Sequence, residues 1–312
     1  MQRPMTIADL LTREPKAPWV ESAHLSERLD AIGADEETRR FAEDLARDGV
    51  AVIDFEDAPS LRLFDEAIAQ TDGYFRGGAR RVQDAWRQGT AVRALALHPK
   101  VTRLLSAAYG RTPFPFQTLN FQRGSEQGLH SDALHFHSEP ERFMCGVWFA
   151  LEDVRPESGP LIYRKGSHRL PVLTLREAGV KSPRRGSNAY AAKYVPALMA
   201  QADAAGAPVE TAMLKKGQAL VWSANLAHGG APILDPDATR RSLVVHFFFE
   251  NCLYHTPLAG AEDGSRLRLR LPIDVRTGGW VWPRREGRRV GIRPQLLAMS
   301  LLHRLLNKPL TF

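Results

Sequence analysis

Gly128-Leu129-His130-Ser131-Asp132, followed by Met144-Cys145-Gly146-Val147-Trp148-Phe149-Ala150-Leu151, decides how this chain is read. The second run is short and apolar and is followed by Glu152-Asp153, which reads as a buried strand. The same texture extends outward. Upstream, Phe116 to Phe121 is a strand-like run ending in Gly124 and Gly128. Downstream come a short strand from Gly159 to Tyr163, a turn from Lys165 to Arg169, and a strand from Gly217 to Trp222. His228-Gly229-Gly230 and the strand Ser242 to Phe249 close the series. Short apolar strands separated by Gly-rich turns predict an all-β sandwich or barrel core. Helices flank it. Glu36 to Arg47 follows Asp35 as N-cap, Leu61 to Gln70 follows Ser60 as cap, and Val101 to Tyr109 ends at Gly110 in the expected C′ position. They are expected to buttress one face of the barrel.

His130 and Asp132 lie two apart, so on a strand both point to one face, as a shared metal requires. Alone the pair is weak evidence, because with 10 His and 35 acidic residues such a tripeptide arises by chance. His228 adds the missing imidazole, and Gly229 and Gly230 let the backbone approach a crowded site. Two imidazoles and one carboxylate suit non-haem Fe(II) and leave the opposite face of the octahedron open. His168, in a Gly-Ser-His turn, competes as third ligand. His135 and His137 read as pocket-lining or surface residues and as candidate substrate contacts. His246 shares strand parity with Arg240, Ser242 and Val244 and reads as a hydrogen-bonded core histidine that can also face the interior. An Arg shortly after the second His can grip a distant carboxylate in a bidentate manner. Arg240 and Arg241 compete for that place from opposite strand faces.

The ordered series resembles the phytanoyl-CoA dioxygenase family of Fe(II)- and 2-oxoglutarate-dependent oxygenases. The resemblance rests on Gly128 to Asp132, Val147 to Asp153, Ser158-Gly159-Pro160-Leu161, Gly166-Ser167-His168-Arg169 and the stretch from His228 to Phe247. With the opening helix and strand from Phe41 to Asp54 it covers roughly residues 38 to 255. Lys165 departs from it, standing where the family usually has Pro. The resemblance implies a mainly β fold with flanking helices, a double-stranded β-helix (jelly roll, cupin-like) whose open end holds iron. It implies His130, Asp132 and His228 as metal ligands. Arg240 and Ser242 would meet the C5 carboxylate of 2-oxoglutarate while Arg241 points outward. Trp148 matches the family's Trp near the co-substrate, with a plain core aromatic as the other reading. Gln117 or Asn120 is expected near the C1 end. The implied reaction consumes 2-oxoglutarate and O2, releases succinate and CO2, and hydroxylates or desaturates an unactivated C–H bond of a small organic molecule. Asp132 itself argues against halogenation, since related halogenases lack this carboxylate. Two other readings stay open: a ligand-binding β-barrel without turnover, and an oxygenase acting on a macromolecular or carrier-bound substrate.

Composition agrees with one large globular unit: 44% hydrophobic and 25% charged residues over 312 positions are ordinary values. The expected organisation is a loose lead-in over residues 1–34, an oxygenase domain over 35–255 with an insertion at 171–210, and an Arg-rich extension over 256–312 packed on the same domain. The insertion is placed where a lid or substrate loop can sit. Its Arg176, Lys181, Arg184, Arg185 and Lys193 are candidates for a substrate carboxylate or phosphate, and Tyr190 and Tyr194 for an apolar part. Cys145 and Cys252 cannot build a disulfide framework and read as reduced core residues of a cytoplasmic protein. Met1 to Val20 carries charges and prolines instead of the apolar core of a secretory signal. No apolar run approaches the ~18 residues of a membrane span. The net charge of +7 is concentrated in arginines from Arg266 to Arg293. They read as a solvated surface or as a binding face for nucleic acid, anionic lipid or a phosphorylated carrier, and sparse aromatics between them argue against a single-strand nucleic-acid platform. Pro294 to Leu306 has the apolar stripe of a helix that packs in the core or forms a dimer seam, so a monomer or homodimer is expected.

Overall fold

Every residue of Ser242–Phe249 is buried, and a strand with no exposed face belongs inside a sheet covered on both sides. The structure, a computed structural model, describes residues 15–180, 190–259, 268–292, 294 and 309–311. Its helices are α1 (Leu25–Ala31), α2 (Glu36–Asp48), α3 (Ala58–Phe75), α4 (Thr90–Ala96), α5 (Pro99–Tyr109) and α6 (Val195–Ala204). Its strands are β1 (Val50–Asp54), β2 (Val82–Gln83), β3 (Pro113–Phe121), β4 (His137–Glu139), β5 (Met144–Ala150), β6 (Leu161–Arg164) and β7 (Val209–Ala212). They continue with β8 (Gln218–Ser223), β9 (His228–Gly230), β10 (Ser242–Phe249), β11 (Leu253–His255), β12 (Arg284–Arg285), β13 (Arg288–Arg289) and β14 (Leu310–Thr311).

Seven strands form one antiparallel sheet in the order β1-β8-β5-β10-β3-β2-β14. A smaller antiparallel sheet has the order β7-β6-β9. Alternation along the strands divides the large sheet into two faces. Val147 and Phe149 of β5, Val221 of β8 and Val245 and Phe247 of β10 join Phe41, Phe64 and Leu104 of the helices in the main core. Truncating a fully buried Phe such as Phe149 to Ala would cost about 3–5 kcal/mol. Trp148, Leu220, Trp222 and Val244 face the other way and pack with Leu161 of β6 and Ala212 of β7. Helices therefore cover one face of the large sheet and the small sheet covers the other. The candidate site lies between the sheets.

Helix ends follow local chemistry. Asp35 caps α2, its carboxylate accepting from Thr38 N at 2.8 Å. α5 ends at Gly110 in the left-handed region, φ 71°. α3 starts earlier than expected. Asp57, and not Ser60, is its cap and accepts from Ser60 N at 2.8 Å. Pro59 in the first turn has no N–H to lose there, so it does not mark a boundary. In the N-terminal lead-in, the described residues carry α1 and bury Trp19, Val20 and Leu29. In the insertion they form α6 and β7. Lys181, Arg184, Arg185, Arg266, Arg293 and almost all of the expected helix from Pro294 to Leu306 lie outside the described residues. No described helix is long and apolar enough to cross a membrane.

Candidate metal centre

His130 and His228 are joined by a two-way backbone pair, His130 N to His228 O at 2.8 Å and His228 N to His130 O at 2.9 Å. That bridge carries the segment ending in Asp132 alongside β9. The geometry differs from simple strand parity. His130 sits on an isolated bridge, while Asp132 opens a short 3-10 turn, Asp132–Leu134, capped by the Ser131 hydroxyl. The turn still delivers both side chains to one point. One ligand atom from each of His130, Asp132 and His228 lies within 4.8 Å of the others, and all three residues are buried.

Neighbouring groups aim these ligands. Nδ1 of His130 lies 3.0 Å from the Gly128 carbonyl and Nδ1 of His228 lies 3.0 Å from the Leu226 carbonyl. A carbonyl only accepts, so each Nδ1 carries the proton and each Nε2 presents a lone pair to the site. Burial, reinforced by His228, pushes the His130 imidazole down to about 3, so it is neutral at physiological pH. The Trp222 indole N–H donates to Oδ2 of Asp132 at 2.8 Å. Burial alone would raise the Asp132 carboxyl, but the imidazoles of His228, His246 and His130 and the indole N–H outweigh it and hold it below its ordinary range. The trio offers two imidazole nitrogens and one carboxylate, the donor set suited to non-haem Fe(II).

The cavity beside them has a volume of about 300 Å³. Leu119, Phe121, Phe136, Trp148, Leu161 and Val244 form much of its apolar wall. Arg240 enters from the side. It is only 4% exposed, its guanidinium carbon lies 5.3 Å from the Trp148 ring centre, and Nη1 donates to the Gly159 carbonyl at 2.8 Å. Its Nε and the hydroxyl of fully buried Ser242 have no hydrogen-bond partner. Burial pushes the Arg240 guanidinium down to about 10. A buried cation beside an orphaned hydroxyl calls for an anion, and a distal carboxylate of a co-substrate fits that need. Arg241 faces away and pairs with Glu152 at 3.2 Å and Asp72 at 3.3 Å.

The remaining candidates separate by face. Gln117 lines the cavity with Leu119 and Phe121, so alternation places Asn120 on the opposite face. His246 also lines the cavity. Its Nδ1 donates to Oε1 of Gln117 at 3.0 Å, and its Nε2 lies 3.6 Å from Oδ2 of Asp132. It is both hydrogen-bonded and turned to the interior. His135 lines the cavity. His137 instead pairs with His255 across β4 and β11. His168 is buried against α2, its Nε2 3.2 Å from the Ala46 carbonyl, and takes no part in the cluster. Trp222 joins the site through its indole N–H on Asp132, and the sequence carries no local signal for it: the room for its ring comes from Gly146, where a Cβ would lie 2.2 Å from the indole.

The sequence profile of the phytanoyl-CoA dioxygenase (PhyH) family matches residues 33–242, more than half of the chain. No curated protein sequence matches it. Among solved structures it is similar to the non-haem α-ketoglutarate-dependent epimerase SnoN of nogalamycin biosynthesis, with a TM-score of 0.54 and 20% identity over 75% of this chain and 95% of that one. It is similar to the carbocyclase SnoK of the same biosynthesis, with a TM-score of 0.55 and 16% identity over 72% and 88%. Iron-bound EctD from S. alaskensis gives a TM-score of 0.51 and 19% identity over 67% and 75%. At these identities the likeness is one of fold.

Proposed function

Because this chain belongs to the phytanoyl-CoA dioxygenase family, we propose that it is an Fe(II)- and 2-oxoglutarate-dependent dioxygenase that hydroxylates or desaturates an unactivated C–H bond of a small organic molecule. The observation that carries this reading is the pairing of two features in one cavity. A buried His130, Asp132 and His228 trio shares it with buried Arg240 and Ser242, whose Nε and hydroxyl lack partners. The two facing antiparallel sheets support reading the core as a double-stranded β-helix. We assign the oxygenase domain to residues 35–255 with the insertion at 171–210, and residues 256–312 to an extension packed on it.

Bound Fe(II) with 2-oxoglutarate and O2 supplies the oxidising power, and 2-oxoglutarate leaves as succinate and CO2. The chain's own residues do the rest. Nε2 of His130, Nε2 of His228 and the Asp132 carboxylate hold the metal. Trp222 keeps the carboxylate from rotating. Arg240 and Ser242 take the far carboxylate of 2-oxoglutarate, and Trp148 stacks beneath the guanidinium. Gln117 is assigned to the near end of the co-substrate. The apolar wall excludes water from the open side of the site.

The test is turnover of 2-oxoglutarate. His228→Ala and Asp132→Ala should abolish succinate formation while far-ultraviolet circular dichroism stays that of the native fold. Full activity in His228→Ala would remove that residue from the centre. The relatives include an epimerase and a carbocyclase, so product analysis must accompany the assay. An incorporated oxygen atom supports hydroxylation, and loss of two hydrogens supports desaturation.

A further inference from the structure

A small recess of about 90 Å³ adjoins the metal cavity, sharing Gln83 and Gln117 as walls. Two arginines line it, Arg87 and Arg270. Neither makes an ion pair among the described residues. Nε and Nη2 of Arg87 are buried without a hydrogen-bond partner, while its guanidinium carbon lies 5.0 Å from the Trp86 ring centre. Arg270 lies 4.8 Å from the Phe136 ring centre and 5.9 Å from that of Phe116. Its Nη1 donates to the Thr256 hydroxyl at 2.9 Å. Phe136 is the link to the chemistry, since its other contacts include His246, with ring centres 5.0 Å apart. The acid in the recess wall, Asp84, takes the Thr118 N–H and the Trp86 indole N–H, each at 3.2 Å.

Both arginines are half-buried and line the same recess, and buried guanidinium N–H groups left without a partner, as on Arg87, are costly unless an acceptor completes them. Burial, with Arg268 adding to it, pushes Arg270 down to about 10. The space is too small for a whole substrate. It holds the volume of about three water molecules, which fits one carboxylate or phosphate group. We propose that the Arg87–Arg270 recess binds a carboxylate or phosphate at one end of the substrate and so holds the reacting carbon in the metal cavity. The link to substrate rests on the oxygenase reading above. This anion site is separate from Arg240, which serves the co-substrate.

The test uses the full chain loaded without oxygen with Fe(II) and 2-oxoglutarate, so that the Arg240 end is filled. Acetate, inorganic phosphate and the neutral isostere acetamide are titrated by calorimetry at constant ionic strength. An anion should bind at one site with a dissociation constant on the order of millimolar, and acetamide should not bind. Arg87→Gln and Arg270→Gln should each weaken it by about tenfold or more. Preference for acetate assigns a carboxylate-bearing substrate, and preference for phosphate a phosphorylated one. Absence of anion binding in the unmodified protein, equal binding of acetamide, or unchanged binding in both variants overturns the proposal. If Arg270→Gln does not fold, the unmodified protein and Arg87→Gln decide. The weak visible band formed by Fe(II) and 2-oxoglutarate is read in the same samples. A band without anion binding removes the recess alone, and anion binding without a band removes the oxygenase reading alone.

Discussion

Arg240 and Arg241 are neighbours in sequence and opposites in environment, and the contrast yields a direct prediction. Arg240 is buried beside an orphaned Ser242 hydroxyl, whereas Arg241 pairs with Asp72 and Glu152 nearer the surface. Losing one partner of a desolvated bidentate pair costs roughly 2–5 kcal/mol. Arg240→Ala should therefore raise the 2-oxoglutarate concentration for half-maximal turnover by more than about tenfold. Partly exposed pairs like those of Arg241 contribute about 0–1 kcal/mol, so Arg241→Ala should leave that concentration nearly unchanged. The opposite ranking in a co-substrate titration would reverse the assignment of strand faces. Ser242→Ala should give a smaller loss in the same direction, on the order of one neutral hydrogen bond, about 0.5–1.5 kcal/mol.

At the scale of elements, the metal ligands depend on how β5 and β8 pack. Gly146 of β5 pairs with Trp222 of β8, and a methyl group on Gly146 would lie 2.2 Å from the indole. The indole must then tilt, and its N–H leaves Asp132. Removing such an outer partner of a metal ligand typically costs 10–100-fold in metal affinity. Gly146→Ala and Trp222→Phe should both weaken Fe(II) binding within that range, measured by competition with a chelator. The first also adds an overpacking penalty of about 1–3 kcal/mol, visible as a lower melting temperature. Native iron affinity in Trp222→Phe would show that Asp132 needs no such anchor. The same scale explains the short turn at Asp132. A continued strand would also have put His130 and Asp132 on one face, but the bridge to His228 ends there, and the Ser131 cap bends the chain so that β4 can begin at His137.

The whole molecule buries several neutral histidines, and this sets its response to acid. Burial pushes His130 to about 3 and His168, His246 and His255 each to about 4, below the ordinary value of 6.5. The unfolded chain then binds more protons than the folded one between those values. Stability is fully present above pH 6.5 and is lost as pH falls toward about 4. Melting temperature should decline steadily across that window. His168 lies away from the metal cluster and isolates the effect, since His168→Gln removes one titrating group. Its melting temperature should fall less steeply between pH 6.5 and about 4 than that of the unmodified protein. Equal slopes would mean that His168 does not contribute. Excess Fe(II) should raise the melting temperature by mass action, and Asp132→Ala should abolish that rise.

Strand texture and helix caps were legible in the residues because they are local: Ser242–Phe249 is apolar throughout, Asp35 caps α2, and Gly110 closes α5. Order and spacing also singled out His130, Asp132, His228 and Arg240, since a metal trio with a carboxylate grip needs those chemical types on strands that meet. Other features required the tertiary structure. Competition between Asp57 and Ser60 was decided by which one had a free N–H to accept, and the role of Trp222 by a glycine on a strand more than 70 residues away in sequence. That Arg87 and Arg270 line one recess has no local signature, because it arises only where the turn Ala85–Arg87 and the segment from Arg270 to Ile273 meet the same wall. Local patterns determine which elements form and which side chains could do chemistry. Packing alone determines which of those side chains lose water together, and that shared loss of water creates the demand for a metal, a co-substrate or an anion.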